Sequence, residues 1–190
     1  MESALIISNT QKSAALFAEI LHAASIKHIV ILNSCGEARR LLLEQDYDLV
    51  VVNGPLHDES GENFSRDIAS KGVAQVILVV KNEYFDMVSS VVEGDGVLTV
   101  ANPVNKTIFW SALTLAKSAG KQIRRMQDEN AKLKQKIEDI RIADRAKCIL
   151  ISHMNMSEQE AHRYIEKQAM DSRSTKRAVA EGILKTYERP

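Results

Sequence analysis

Apolar and polar positions change rhythm twice along these 190 residues. In the first hundred, four short runs are almost wholly apolar: Leu5-Ile6-Ile7, His28 to Leu32, Leu49 to Val52 and Val76 to Val80. A fifth, Val97 to Ala101, is weaker. Each is rich in Val and Ile and ends at turn-forming residues, the pattern of strands covered on both faces. Between them the spacing turns helical. Lys12 to Ala24 sets Leu16, Ile20 and Ala24 along one face with Phe17 and Leu21 beside them. Cys35 to Glu44 offers Ala38 and the Leu41-Leu42-Leu43 cluster, and Tyr84 to Val92 offers Phe85, Val88 and Val92. Strands separated by helix-length segments pair in parallel through right-handed crossovers, because an antiparallel hairpin needs no helix. The pattern predicts a flavodoxin-like α/β domain over residues 1–118, a doubly wound five-stranded parallel sheet.

The second rhythm is a heptad. From Lys106 to about His153 there is no proline, and Gly120 is the only glycine. Ile123, Asn130 and Ile137 fall at a, and Met126, Leu133 and Ile140 at d, flanked by charges such as Arg124, Lys132 and Glu138. This spacing predicts a coiled-coil helix over 119–141. A lone asparagine at a core a position pairs with its counterpart in a parallel two-stranded coil and disfavours other registers, so these residues point to a parallel homodimer. The competing reading lays the helix on the α/β domain, with Asn130 at its rim.

The last fifty residues read as an all-α bundle of three helices. The first runs on through Ala146, Ile149 and Leu150 and ends near Asn155. The second opens with Ser157 as N-cap and Glu160 at the third helical position, a capping box that Met156 staples onto Ala161. Its apolar face is Ala161, Tyr164, Ile165 and Ala169. The third starts after Ser172 or Ser174 and buries Val179, Ala180 and Ile183, with Leu184 and Tyr187 beyond. The exposed remainder is basic: Arg145 and Lys147, then His162, Arg163 and Lys167, then Arg173, Lys176 and Arg177. Cations beside free helix N–H groups suit phosphate, and arginine can fork onto a base edge or stack on an unpaired base. Ordinary solvated surface charge accounts for the same residues equally well.

Composition narrows the classes. With 45% hydrophobic and 26% charged residues, three prolines and eight glycines, the chain is neither disordered nor collagen-like. Cys35 and Cys148 lie too far apart in sequence for a zinc ribbon and are too few for a disulfide framework. No apolar run reaches the ~20 residues that span a bilayer, and Met1-Glu2-Ser3 lacks the basic start of a signal peptide. These features predict a cytoplasmic protein with no membrane contact. The zero net charge conceals a contrast: residues 1–118 carry 9 Lys+Arg and 14 Asp+Glu, residues 119–190 carry 16 and 11. The basic part is the candidate for a polyanionic partner.

Residues 3–118 resemble a response-regulator receiver domain in strand order and spacing. That family carries an acidic pair after the first strand, a phosphorylated aspartate ending the third, a hydroxyl residue ending the fourth, and a lysine before a proline after the fifth. Here those places hold Ser8 and Asn9, Asn53, Val80, and Asn102 before Pro103. An asparagine has no carboxylate to attack a phosphoryl group, and without the acidic pair nothing holds Mg²⁺ beside it. The resemblance is therefore to a pseudo-receiver, with no phosphorylation at Asn53 and with control left to a protein partner or small ligand. No glycine-rich phosphate loop follows any strand. Gly94-Asp95-Gly96 reads as a tight turn, and His57-Asp58-Glu59 as solvated loop rather than a metal site. No catalytic residue, metal or cofactor is expected.

Residues 142–184 resemble an ANTAR domain, the RNA-binding module named for the AmiR and NasR transcription antitermination regulators. The matching stretches are Ala146-Lys147-Cys148-Ile149-Leu150, Met156-Ser157-Glu158-Gln159-Glu160-Ala161, Gln168-Ala169-Met170-Asp171-Ser172-Arg173 and Val179-Ala180-Glu181. A receiver-like domain with a coiled-coil linker is that family's usual arrangement, which puts the ANTAR domain at 142–190. The resemblance implies binding to paired stem-loops in nascent leader RNA, so that a terminator does not form. Lys147 and Arg173 match basic residues of the family motif; Lys176, Arg177, Arg145 and Arg163 extend the expected RNA-binding set. Lys176 stands where relatives have an apolar residue, and Cys148 replaces a glycine at a position expected to be part buried. A pseudo-receiver adaptor whose C-terminal helices bind protein is the alternative. A DNA-binding regulator ranks below it, because the short glycine-containing turn of a helix-turn-helix is missing.

Overall fold

The computed structural model describes residues 1–187; positions 188–190, the end of the segment assigned above to the C-terminal domain, lie outside the described residues. Strands β1 (Ser3–Ser8), β2 (His28–Leu32), β3 (Leu49–Asn53), β4 (Gln75–Lys81) and β5 (Leu98–Asn102) form one parallel sheet in the order β2-β1-β3-β4-β5. Helices α1 (Gln11–Ala23), α2 (Cys35–Glu44), α3 (Glu62–Ser70), α4 (Phe85–Val92) and the start of α5 (Lys106–Met154) flank it. Two further helices, α6 (Glu158–Asp171) and α7 (Lys176–Tyr187), follow. The chain divides into two compact units, Met1–Arg125 and a second from Met126 onward.

In the first unit, alternation along each strand feeds two cores. Ala4, Ile6, Leu49, Val51, Ile77 and Val79 pack on one face with Phe17, Ile20 and Leu21 of α1 and Phe109, Leu113 and Ala116 of α5. The intervening Leu5, Ile7, Val50, Val52 and Leu78 pack on the other with Cys35 and Ala38 of α2, Phe64 and Ile68 of α3, and Val88 and Val92 of α4. Because both faces are covered, nearly every residue of β1, β3 and β4 is buried, which is why these strands read as unbroken apolar runs. The five expected strands form within a residue or two of the expected limits.

Some helix limits differ. The hydrophobic spacing predicts no helix between β3 and β4, where α3 lies. Tyr84 sits in a tight 3₁₀ turn (Asn82–Tyr84), and α4 proper begins at Phe85. Gly61 introduces α3 with φ +92°, and a Cβ there would stand 2.7 Å from Val52 Cγ1, so only glycine fits.

The second unit is held by Ile142, Ala146 and Leu150 of α5, Ala161 and Ile165 of α6 and Ala180 of α7. Met156, Tyr164, Val179, Ile183 and Leu184 close over this small core. Alanines at three of its six buried places let the helices approach closely. No helix among the described residues is long and apolar enough to cross a membrane.

Candidate nucleic-acid interface

The second unit owes its turns to specific residues. Asn155, at φ +52°, stops α5, a conformation asparagine tolerates better than most residues. Ser157 then caps α6: its Oγ accepts from the Glu160 N–H at 3.3 Å, while the Glu160 carboxylate accepts from the Ser157 N–H at 2.8 Å. The Ser157 N–H, and after it the Ser157 hydroxyl donating to the same carboxylate at 2.8 Å, hold the Glu160 carboxyl below its ordinary range. At the other end, Ser174 N–H donates to Ala169 O at 2.9 Å and Arg173 N–H to Met170 O at 3.2 Å. This is the Schellman closure, and it puts Arg173 at φ +51° in the left-handed place where glycine is usual. The third helix starts after Ser174, the later of the two expected places, at Lys176, with Thr175 Oγ1 accepting from the Ala178 N–H at 3.1 Å.

Two groups emerge among the six expected RNA contacts. Lys147, Lys176 and Arg177 are ion-paired. Lys147 is not the exposed cation expected from sequence: its side chain is only 18% exposed, with Nζ 2.8 Å from Asp144 and 3.5 Å from Glu158. The Asp144 hydrogen bond, ahead of the other causes, raises its pKa. Lys176 Nζ lies 2.5 Å from Glu166 Oε1, and that bond holds the Glu166 carboxyl low. Arg177 is half-buried rather than free, bridging Asp139 and Glu181 at 2.8 Å each. Arg145, Arg163 and Arg173 are exposed, as is Lys167. Among the described residues, the Arg163 and Arg173 guanidiniums make no hydrogen bond or ion pair. Sequence reasoning missed the acidic partners. Arg177 and Glu181 sit four apart on one helix and were legible, whereas Asp139 lies 38 positions from Arg177.

Cys148, expected part buried, is exposed. On the heptad stretch, Ile123, Met126, Leu133, Ile137 and Ile140 are 36–60% exposed. Asn130 is exposed too, its Nδ2 donating to Met126 O at 3.0 Å. The expected dimer seam is thus a row of exposed or half-exposed apolar side chains on α5, interrupted by Asn130.

In the first unit, the C-terminal ends of β1 and β3 hold neutral groups. Asn53 and Ser8 are register partners and both buried, with Asn53 Nδ2 donating to Ser8 Oγ at 3.1 Å. Asn9 Nδ2 reaches Pro55 O at 3.0 Å. The acids of the following loop are committed elsewhere. Asp58 accepts from the Gly36 and Cys35 N–H groups at 2.9 and 3.3 Å, and Glu59 pairs with Arg39. Burial pulls the Asp58 carboxyl up, but the Gly36 and Cys35 bonds outweigh it and the net shift is down. Burial raises the Cys35 thiol, and the charges of Glu59 and Asp58 raise it further.

Comparison with known proteins matches this division. Residues 131–184 match the ANTAR domain. The chain is 28% identical over 143 residues to the transcriptional regulatory protein PdtaR of Mycobacterium tuberculosis, covering 75% of this chain and 70% of that one. The receiver domain of an HD domain-containing protein from Pseudomonas fluorescens Pf-5 is similar with a TM-score of 0.56 at 14% identity, covering 65% of this chain and 91% of that one. A CheY-like receiver domain from Methylobacillus flagellatus gives 0.50 at 18% identity, covering 61% and 98%. At such identities the structural likeness establishes the fold of the first unit and nothing about its chemistry.

Proposed function

We propose that the chain, whose residues 131–184 match the ANTAR domain and whose first unit has the receiver fold, is an ANTAR-type response regulator that binds stem-loops in nascent leader RNA as a homodimer and prevents terminator formation. The observation that carries the reading is the ANTAR match over a three-helix tip on which Arg163, Lys167 and Arg173 stand exposed. Nothing covalent happens to the RNA. Binding stabilises one RNA secondary structure over its competitor, and the free energy comes from phosphate neutralisation and contacts to unpaired bases.

The row Ile123 to Ile140 on α5, with Asn130 in its middle, supports a parallel two-stranded stalk that carries two tips. In the head, the Ser8–Asn53 pair supports a receiver that accepts no phosphate: no carboxylate stands at the strand end, and no acidic pair holds Mg²⁺. Control then falls to a partner or ligand on the head, or to abundance.

Recovery of RNA bound to the full chain in cells, washed at increasing salt, tests the function. Salt-sensitive enrichment of hairpin-bearing leaders is the expected result. Recovery of protein partners without nucleic acid would instead support the adaptor reading.

A further inference from the structure

Between the end of α6 and the start of α7 runs an open groove of about 390 Å³, lined by Glu166, Ala169, Met170, Ser174 and Lys176. Three features of it are unusual for a small helical unit. Met170 is 78% exposed, a large apolar side chain left in solvent. Its neighbour in the turn, Arg173, holds a left-handed conformation unfavourable for an ordinary residue, and its guanidinium is unpaired among the described residues. Glu166 places a carboxylate in the groove's lining beside Lys176. Strain retained at an exposed position is a reason to look for a ligand.

The charges narrow the ligand. A groove meant only for phosphate would not carry a carboxylate, since like charges repel. A nucleobase meets all three features: an apolar face for the polarisable Met170 thioether, an edge whose exocyclic amine donates to Glu166, and a flanking phosphate for the cations. Lys176 Nζ already holds Glu166 Oε1 at 2.5 Å and keeps it ionised as an acceptor. Ser174, whose hydroxyl lies 2.7 Å from that of Ser172, adds acceptor lone pairs at the turn, since the Ser172 hydroxyl already donates to Gln168 O.

The geometry points to this groove as the pocket for one unpaired, amine-bearing base of the RNA loop, with Met170 as its platform and Glu166 as its specificity-determining acceptor. The inference rests on the RNA-binding reading above and goes beyond it, because it assigns base readout to residues outside the basic set.

Hairpins with randomised loops are selected on the full chain, and the tightest is resynthesised with an abasic nucleotide at each loop position in turn. At one position the abasic change weakens wild-type binding roughly two- to tenfold. Met170→Ala weakens the intact hairpin by a similar factor, and the two losses do not add when combined, the signature of a direct contact. Met170→Leu, which keeps an apolar platform, retains most of the affinity. Glu166→Gln narrows the preference for an amine-bearing base over uracil at that position. Additive losses at every loop position would overturn the groove assignment and leave the RNA reading standing. A selection that yields no binding hairpin would overturn both.

Discussion

Asn53 Nδ2 donates a 3.1 Å hydrogen bond to Ser8 Oγ, tying the buried end of β3 to the end of β1 with two neutral side chains. Where a phosphate-accepting receiver needs clustered carboxylates, this pair is uncharged and satisfied. Incubation with acetyl phosphate and Mg²⁺ therefore leaves the head unlabelled by intact-mass analysis. Asn53→Asp alone does not restore labelling, because Ser8 and Asn9 still provide no acidic pair.

The same substitution carries a pH signature. A carboxylate at position 53 loses the donor that satisfied Ser8 and is itself desolvated, at a cost of about 1–3 kcal/mol near neutral pH. Burial raises its folded pKa above the unfolded one. The penalty is thus small at low pH, where the group is protonated in both states, and grows as pH rises. Urea unfolding of Asn53→Asp and wild type at pH 4.5 and 7.5 should show the wider gap at 7.5.

Arg173 and Lys147 should separate binding from stability. Arg173→Gly relieves the left-handed strain, so the melting temperature holds or rises while hairpin affinity falls by about tenfold, one arginine contact's worth. Lys147 is packed between Asp144 and Glu158, so Lys147→Ala lowers the melting temperature and leaves the slope of affinity against salt nearly unchanged. Calorimetry and salt-titrated binding on both variants check the split.

Acid should unfold the second unit before the first. Glu160, Glu166 and Asp139 are all held below their ordinary carboxyl range, by Ser157, Lys176 and Arg177 respectively. Groups with lowered folded pKa values stabilise above the unfolded pKa of ~4 and lose that contribution as pH falls through the folded value. Helical circular dichroism followed from pH 7 to 2 should show an acid transition, and Asp139→Asn with Glu166→Gln should flatten it while lowering stability at pH 7.

The stalk offers a test of register. Leu133→Lys puts charge into the apolar row and should leave protomers in solution. Asn130→Leu should strengthen association and admit trimers or tetramers. Light scattering across a concentration series distinguishes the outcomes.

What the sequence made legible follows from where the information sits. The strands were readable because burial on both faces forces unbroken Val and Ile runs, and the Ser157–Glu160 box because its partners lie three residues apart. Helix α3 was not, since only Phe64 and Ile68 among its apolar side chains are fully buried and the third buried position is Ser65. The exposed state of Cys148 and the half-burial of Lys147 depend on how α5 and α6 pack, which no spacing records. Arg173 shows the same limit from the other side. Its place in the basic set could be read from the chain, but nothing in an arginine announces a left-handed turn.

The proposed function requires two C-terminal units gripping one folded transcript. Sedimentation velocity of the full chain with a leader RNA bearing two hairpins, and with one hairpin deleted, tests it most directly. Two chains per RNA on the double hairpin, with affinity falling more than about tenfold on the single one, is the expected result. One chain per RNA, bound equally well by either transcript, would contradict it.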